Sequence, residues 1–333
     1  MRGNPAMGGS ESCFEVAAGP FRTIECKSTC REVTLGVAIG DYGLSADELR
    51  QFQQDGVIGP FDLYERDEAL DLYKKSIRPG LFDHSHAAYD LPTDAAISNY
   101  DRHLDINALS DHVRHPRIVD RVRSILGPDV LCWRSEFFPK YPGDAGTQWH
   151  QADTFAHASG QPQIRWSANE RFGGAITVWT GFTDCTKDNG CMRFIPGTHE
   201  SMMYDESKGM TYRGASKDSG FFGYDYRDLQ IDPDWKPDEA KAISKELRAG
   251  QFIIFWSTLM HASFPNSTAK QTRMAFAARY VPTSVSVYPD TQHIEEYGSR
   301  ISLERYGTVL VSGVDRYGQN RILEKNLRNH PLR

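Results

Sequence analysis

The sequence contains no run of about 18 apolar residues, the length a helix needs to span a bilayer, so no membrane partner is expected. The opening MRGNPAMGGSES has a basic residue but no apolar core behind it, and the expectation is a cytoplasmic protein without a secretory signal. Cysteine is scarce. The six present, Cys13, Cys26, Cys30, Cys132, Cys185 and Cys191, lack paired C-x-x-C spacing, which excludes a disulfide scaffold or structural zinc site and leaves reduced thiols. Positive charge is not in excess either: 38 basic residues stand against 44 acidic ones, for a formal charge of −6, which excludes the basic footprint of a nucleic-acid binder. Phosphate-binding P-loops, dinucleotide G-x-G-x-x-G turns and G-x-S-x-G nucleophile elbows are also missing, which argues against NTPase, Rossmann and serine-hydrolase chemistry.

What the 333 residues do contain is a globular composition, 39% hydrophobic and 25% charged, with a mean hydropathy of −0.53. Residues 1–43 show no sustained periodicity and are read as an N-terminal extension of unknown role. Ser45-Ala46-Asp47-Glu48 is a capping box that opens a helix carrying Leu49 and Phe52, closed by Gly56. Two more helices are predicted, from Arg66 to Ile77 with Pro79 as the stop, and from Pro116 with Ile118, Val119, Val122, Ile125 and Leu126, ended by Gly127-Pro128. From Val130 the pattern changes to short β-rich runs, VLCWRSEFF, GAITVWTGF, CMRFIP, QFIIFWS and RMAFAARYV. The fold expected is mainly β, a sandwich or jelly roll with the early helices covering one sheet, over residues 44–333 as a single catalytic domain. Residues 197–239 are too long for a turn and read as a lid or insert beside the site.

The chemistry centres on WHQADTF, residues 149–155, which holds a His–x–Ala where mononuclear iron enzymes hold a His–x–Asp. Alternate residues of a strand face the same way, so His150 and Ala152 point together into a pocket while Gln151 points away. Asp153 falls on the opposite face unless a bulge re-aims it. A second imidazole, His261 in FWSTLMHAS, is placed at the end of the QFIIFWS strand. Two neutral histidines without a carboxylate leave an Fe(II) ion four positions for other ligands instead of three. Arg273 and Arg279 lie at even spacing on the next strand, with Ala275 and Ala277 leaving room between them. A guanidinium at Arg273 suits the distal end of a dicarboxylate, although a surface ion pair is an equal reading from spacing alone.

The stretch FFPKYPGDAGTQWHQADTFAHASG, with GGAITVWTGFTD, NGCMRFIPGTH, GFFGYDYRDLQID and GQFIIFWSTLMHASFPNS, closely resembles the non-haem Fe(II)/2-oxoglutarate-dependent aliphatic halogenases of nonribosomal peptide pathways. These are the syringomycin and cytotrienin halogenase type, within the phytanoyl-CoA dioxygenase superfamily. The similarity covers roughly Leu44 to Gly307. It implies a cupin-type double-stranded β-helix, with His150 and His261 as iron ligands and chloride in the position opened by Ala152. It also implies 2-oxoglutarate held by Arg273 and lined by Thr177 and Trp179, with Thr147, Phe155 and Arg279 around the chloride. O2 is the oxidant, and the substrate is an aminoacyl group on the phosphopantetheine of a carrier protein. At His157, in FAHASG, the family carries Asn near the halide, and an imidazole there is bulkier and titratable. The rival expectations are a hydroxylase of the same fold, with Asp153 or another carboxylate on iron, and a catalytically inert barrel that binds a small acid or a partner.

Overall fold

The computed structural model describes residues 41–82, 86–90, 99–167, 174–214 and 223–332. Residues 1–40, most of the stretch expected as an N-terminal extension, lie outside that set, as do residues 215–222 of the stretch expected as a lid or insert. Helix α1 (Ala46–Asp55) is capped as its sequence requires: Ser45 Oγ accepts from the Glu48 amide, and the Glu48 carboxylate accepts from the Ser45 amide. Gly56 ends it with φ 74°, and a Cβ there would lie 2.5 Å from His199 Nδ1, so glycine answers both the left-handed turn and the close approach.

The second predicted helix runs on past Pro79. α2 (Arg66–Leu72) passes through a π-helical turn, Tyr73–Ile77, into α3 (Arg78–Phe82). The π turn resets the hydrogen-bond register just before Pro79, whose ring would otherwise collide with the carbonyl four residues back. Two further helices follow, α4 (Asn107–His112) and α5 (Pro116–Leu126), the latter with Pro116 in its first turn and all five predicted apolar residues buried.

The strands are β1 (Val57–Asp62), β2 (Val130–Lys140), β3 (Thr147–His150), β4 (Ile164–Arg165), β5 (Ile176–Gly181), β6 (Met192–Phe194) and β7 (Ile243–Lys245). They continue with β8 (Gln251–Trp256), β9 (His261–Ser263), β10 (Arg273–Pro282), β11 (Ser286–Val287), β12 (His293–Glu296), β13 (Ser299–Ser302) and β14 (Val309–Ser312). They build a six-stranded antiparallel sheet, β1-β8-β5-β10-β2-β14, and a four-stranded one, β3-β9-β6-β7, with two small two-stranded ribbons. The protein is thus mainly β with antiparallel sheets and flanking helices. Among the described residues no helix is long and apolar enough to cross a membrane, and the three cysteines, Cys132, Cys185 and Cys191, are unpaired.

Period-two alternation divides the large sheet between two tasks. Phe276, Tyr280 and Thr180 meet the helices: His112 packs its ring on Phe276, its Nε2 lies 3.2 Å from Thr180 Oγ1, and Tyr280 donates to the Val113 carbonyl. The opposite face, with Thr177, Trp179, Ala277 and Arg279, lines a cavity shared with the small sheet.

His112 carries a pH prediction. Burial pushes its pKa down to about 3, with His115 adding to the effect, whereas in the unfolded chain it titrates near 6.5. The unfolded state therefore binds the extra proton, and this contribution to stability is lost as pH falls below 6.5 toward 3. Relative to His112→Asn, the wild-type unfolding free energy should drop by about 1.4 kcal/mol per pH unit across that window, measured by urea unfolding. Parallel profiles for the two proteins would refute it.

Candidate active site

His150, at the end of β3, and His261, at the start of β9, are cross-strand partners in the small sheet. Their ring centroids are 4.0 Å apart. His261 therefore opens a strand of the second sheet instead of ending the QFIIFWS strand, because a turn separates it from Trp256. Each Nδ1 faces its own backbone, His150 toward the Gln148 carbonyl at 2.8 Å and His261 toward the Leu259 carbonyl at 2.6 Å. A carbonyl can only accept, so the proton sits on Nδ1 and the lone pair on Nε2. Burial holds both rings neutral, His150 at about 4 and His261 well below the usual imidazole range, the latter with the His150 neighbour adding to the effect. Two neutral imidazoles that carry their lone pairs on Nε2 are what a divalent transition metal requires.

Among the described residues no cluster of three or more His, Cys, Asp and Glu is placed to hold a metal. The position two residues beyond His150 is the Ala152 methyl, which lines the cavity, while Asp153 does not. Its absence from the cavity follows from the chain path: β3 ends at His150, and the Asp153 amide is turned to the Glu206 carboxylate.

All ten residues singled out from the sequence line this one cavity. On its floor Arg273, 3% exposed, stacks on Trp179 with the guanidinium carbon 5.2 Å from the ring centroid. It donates to the backbone carbonyls of Gly190 and Phe138, and its Nε has no partner. Burial lowers Arg273 to about 10, and its cross-strand neighbour Lys140, also buried, is lowered to about 7 by burial and by Arg273 itself. Two adjacent buried cations with an unfilled donor fit a carboxylate that comes from outside the chain. Thr177 lies beside Arg279 across the ladder.

Thr147, Phe155 and Arg279 line the same cavity as Ala152. Thr147 Oγ1 lies 2.9 Å from Ser263 Oγ, and Phe155, with φ 58°, presents its ring to the Arg279 guanidinium at 5.2 Å. Arg279 is no surface ion pair: its side chain is only 12% exposed, its Nη2 lies 3.2 Å from Glu136 Oε2, and its Nη1 has no hydrogen-bond partner among the described residues. Burial pushes Glu136 up to about 7 in spite of Arg279 and Arg134. His157, which lines the same cavity, does not titrate near neutrality, since burial with Arg134 and Arg279 nearby pushes it down to about 3. Its Nδ1 has no partner among the described residues.

Glu136, Arg134 and Tyr226 belong to the site and were not singled out from the sequence. A signal was present for two of them: Arg134 and Glu136 alternate in an otherwise apolar run, which puts two charges on one face of a buried strand. Tyr226 comes from the 197–239 segment, its ring tilted against the His150 ring with centroids 4.8 Å apart, and no local pattern announces it. The same segment also packs Tyr204, Tyr224 and Leu229 against Trp149 in a second apolar cluster, so it braces the strand that carries His150.

The comparisons with known proteins agree with this geometry. Over 88% of this chain and 97% of the other, the structure resembles CytC3 solved with Fe(II) and alpha-ketoglutarate, that is 2-oxoglutarate, at 44% identity and a TM-score of 0.70. The ectoine dioxygenase of Bordetella bronchiseptica is 25% identical over 67% of this chain and 71% of its own length. A probable alpha-ketoglutarate-dependent hypophosphite dioxygenase of Stutzerimonas stutzeri is 31% identical over 31% of this chain and 32% of its own. With the phytanoyl-CoA dioxygenase (PhyH) family profile matching residues 52–275, the chain belongs to that family of Fe(II)- and 2-oxoglutarate-dependent oxygenases, which use O2.

Proposed function

We propose that this oxygenase is a halogenase. It places chlorine on an unactivated aliphatic carbon of an aminoacyl group, held as a thioester on the phosphopantetheine of a carrier protein, in nonribosomal peptide biosynthesis. The observation that carries the reading is Ala152: a methyl occupies the place of the third protein ligand, beside two neutral histidines. A chloride carries the unit negative charge of the missing carboxylate, so it fills that place without changing the net charge at the metal. The carrier-bound substrate is supported by the sequence resemblance.

In this reading His150 and His261 hold Fe(II), which with 2-oxoglutarate and O2 supplies the oxidising power for removing a hydrogen atom from the substrate. Arg273 pairs with the distal carboxylate of 2-oxoglutarate, Trp179 supports the guanidinium from its face, and Thr177 lines the same pocket. Thr147, Phe155 and Arg279 enclose the halide. Phe138 and Phe155 keep water away, and the protein must hold the substrate carbon nearer chlorine than a competing hydroxyl.

An anaerobic titration with Fe(II) and 2-oxoglutarate tests this, following the visible charge-transfer band with and without chloride. A chloride-dependent band supports the reading, and a band indifferent to chloride overturns it. Mass spectrometry of carrier proteins loaded with a panel of amino acids then identifies the substrate. The ectoine dioxygenase similarity favours a second reading, a hydroxylase, which turnover in chloride-free buffer would support. An inert barrel predicts no affinity for iron or 2-oxoglutarate.

Arg273→Gln is expected to weaken 2-oxoglutarate binding by roughly 100-fold or more, because removing one partner of a buried ion pair costs about 3–5 kcal/mol. Iron affinity without 2-oxoglutarate should stay unchanged. Calorimetry of both ligands checks the pair of outcomes.

A further inference from the structure

Two buried polar side chains grip the chain on either side of Ala152 without touching the chemistry described above. Gln151 is fully buried. Its amide nitrogen, with two hydrogens to donate, lies within hydrogen-bond distance of the carbonyls of Thr198 (3.0 Å), Ser201 (2.9 Å) and Thr258 (2.6 Å), and its amide oxygen accepts from the Met203 amide (2.8 Å). Glu206, 6% exposed, accepts four hydrogen bonds from the following turn. They come from the amides of Asp153 (3.0 Å), Thr154 (2.8 Å) and Ala156 (3.4 Å) and from the Thr154 hydroxyl (2.7 Å). Ala152 itself donates to the Ser257 carbonyl at 2.8 Å.

These ties stand where the strand ladder has stopped. β3 ends at His150, its pairing with β9 is irregular between Thr147 and His150, and Phe155 has a left-handed φ. Nothing in a regular sheet therefore fixes which side chain follows His150 into the cavity. The residue next to Ala152 is an aspartate, and a slip of one residue exchanges the faces of neighbouring side chains. A divalent cation held by His150, three residues earlier, would attract that carboxylate, and would then have the three protein ligands of an ordinary oxygenase. Yet Asp153 stays out of the cavity, its amide bound to Glu206.

We propose that Glu206 is a positioning residue which, by holding the 153–156 turn, keeps Asp153 off the iron and so keeps the halide place beside Ala152 open. This rests on the halide reading of the site. Gln151 pins the same register from its other end, so the insert that supplies Glu206, Thr198, Ser201 and Met203 decides whether the third ligand is external or internal.

Glu206→Gln tests it, since the amide keeps the bulk while turning one acceptor oxygen into a donor that faces other donors. Fe(II) affinity in chloride-free buffer and the chloride response of the charge-transfer band are measured anaerobically with 2-oxoglutarate. Four proteins are compared: wild type, Glu206→Gln, Asp153→Asn and the double variant. Glu206→Gln should bind iron roughly tenfold more tightly without chloride, the scale on which partners of metal ligands act, and should lose the chloride response. Asp153→Asn alone should change neither property, and the double variant should recover both wild-type values. A merely structural loosening would weaken iron binding, the opposite sign. If Glu206→Gln does not fold, Thr154→Val removes only the hydroxyl donor and should move both readouts the same way by less.

A Glu206→Gln protein as chloride-responsive as wild type overturns the inference, as does a lost response that Asp153→Asn does not restore. An effect of Asp153→Asn alone overturns it too. A wild type with no chloride response overturns the halide reading first, and the role of Glu206 falls with it.

Discussion

Ala152→Asp is expected to abolish chlorinated product while leaving iron binding intact or tighter. Ala152 follows His150 at the two-residue interval, lines the cavity, and has its amide held by the Ser257 carbonyl, so a new carboxylate emerges beside the histidine pair. It brings the same unit charge as chloride to the same place, so the two exclude one another. At an effective dielectric of about 20, opposite unit charges about 4 Å apart attract by roughly 4 kcal/mol, and a tethered carboxylate needs no free anion to supply that attraction. The chloride-dependent change in the charge-transfer band should vanish together with product, as followed by mass spectrometry. Continued chlorination would remove residue 152 from its assigned place, since no exogenous anion could then share the position. Without metal the variant should be less stable than wild type, because a carboxylate is taken out of water into a buried site, and iron should restore the difference.

Replacement of either histidine has the other large effect. His150→Ala and His261→Ala should each lower Fe(II) affinity by more than the roughly 10- to 100-fold that loss of an outer partner costs, because each removes one of the two protein ligands we propose. His261 also fills space between Phe255, Phe194 and His150, so an alanine there leaves a cavity as well. His261→Gln keeps the volume and separates the two losses: its unfolding temperature should lie nearer wild type while iron affinity still collapses. Binding is read by anaerobic calorimetry at neutral pH, where burial leaves both imidazoles unprotonated and no proton has to be displaced. Near-normal iron occupancy in either alanine variant would mean that the metal sits elsewhere.

Both expectations grew from patterns that can be read locally. The His150–Ala152 interval and the Arg273–Arg279 interval are even, and the structure directs all four side chains into one cavity. The Ser45 box and the Gly56 stop were legible because capping involves residues only a few positions apart. Pro79 shows where local reading stops: proline signals an end, but a π turn ahead of it lets the helix continue. His157 shows another limit, because spacing cannot report desolvation. An imidazole expected to titrate is held neutral by burial and by two arginines from other strands.

The sequence by itself determined the alternation that brings Arg273 and Arg279 onto one inward face, the caps at Ser45 and Gly56, and the alanine two residues after His150. Each depends on a period of two or 3.6 residues, which is short-range geometry. Tertiary structure alone decided that β3 and β9 are neighbours, so that the two histidines become a pair. It also decided that Glu136 meets Arg279, that Tyr226 covers His150, and that Gln151 and Glu206 hold the turn around Ala152. Those contacts join residues far apart in the chain, and their strength comes from burial that exists only once the two sheets have closed around the cavity.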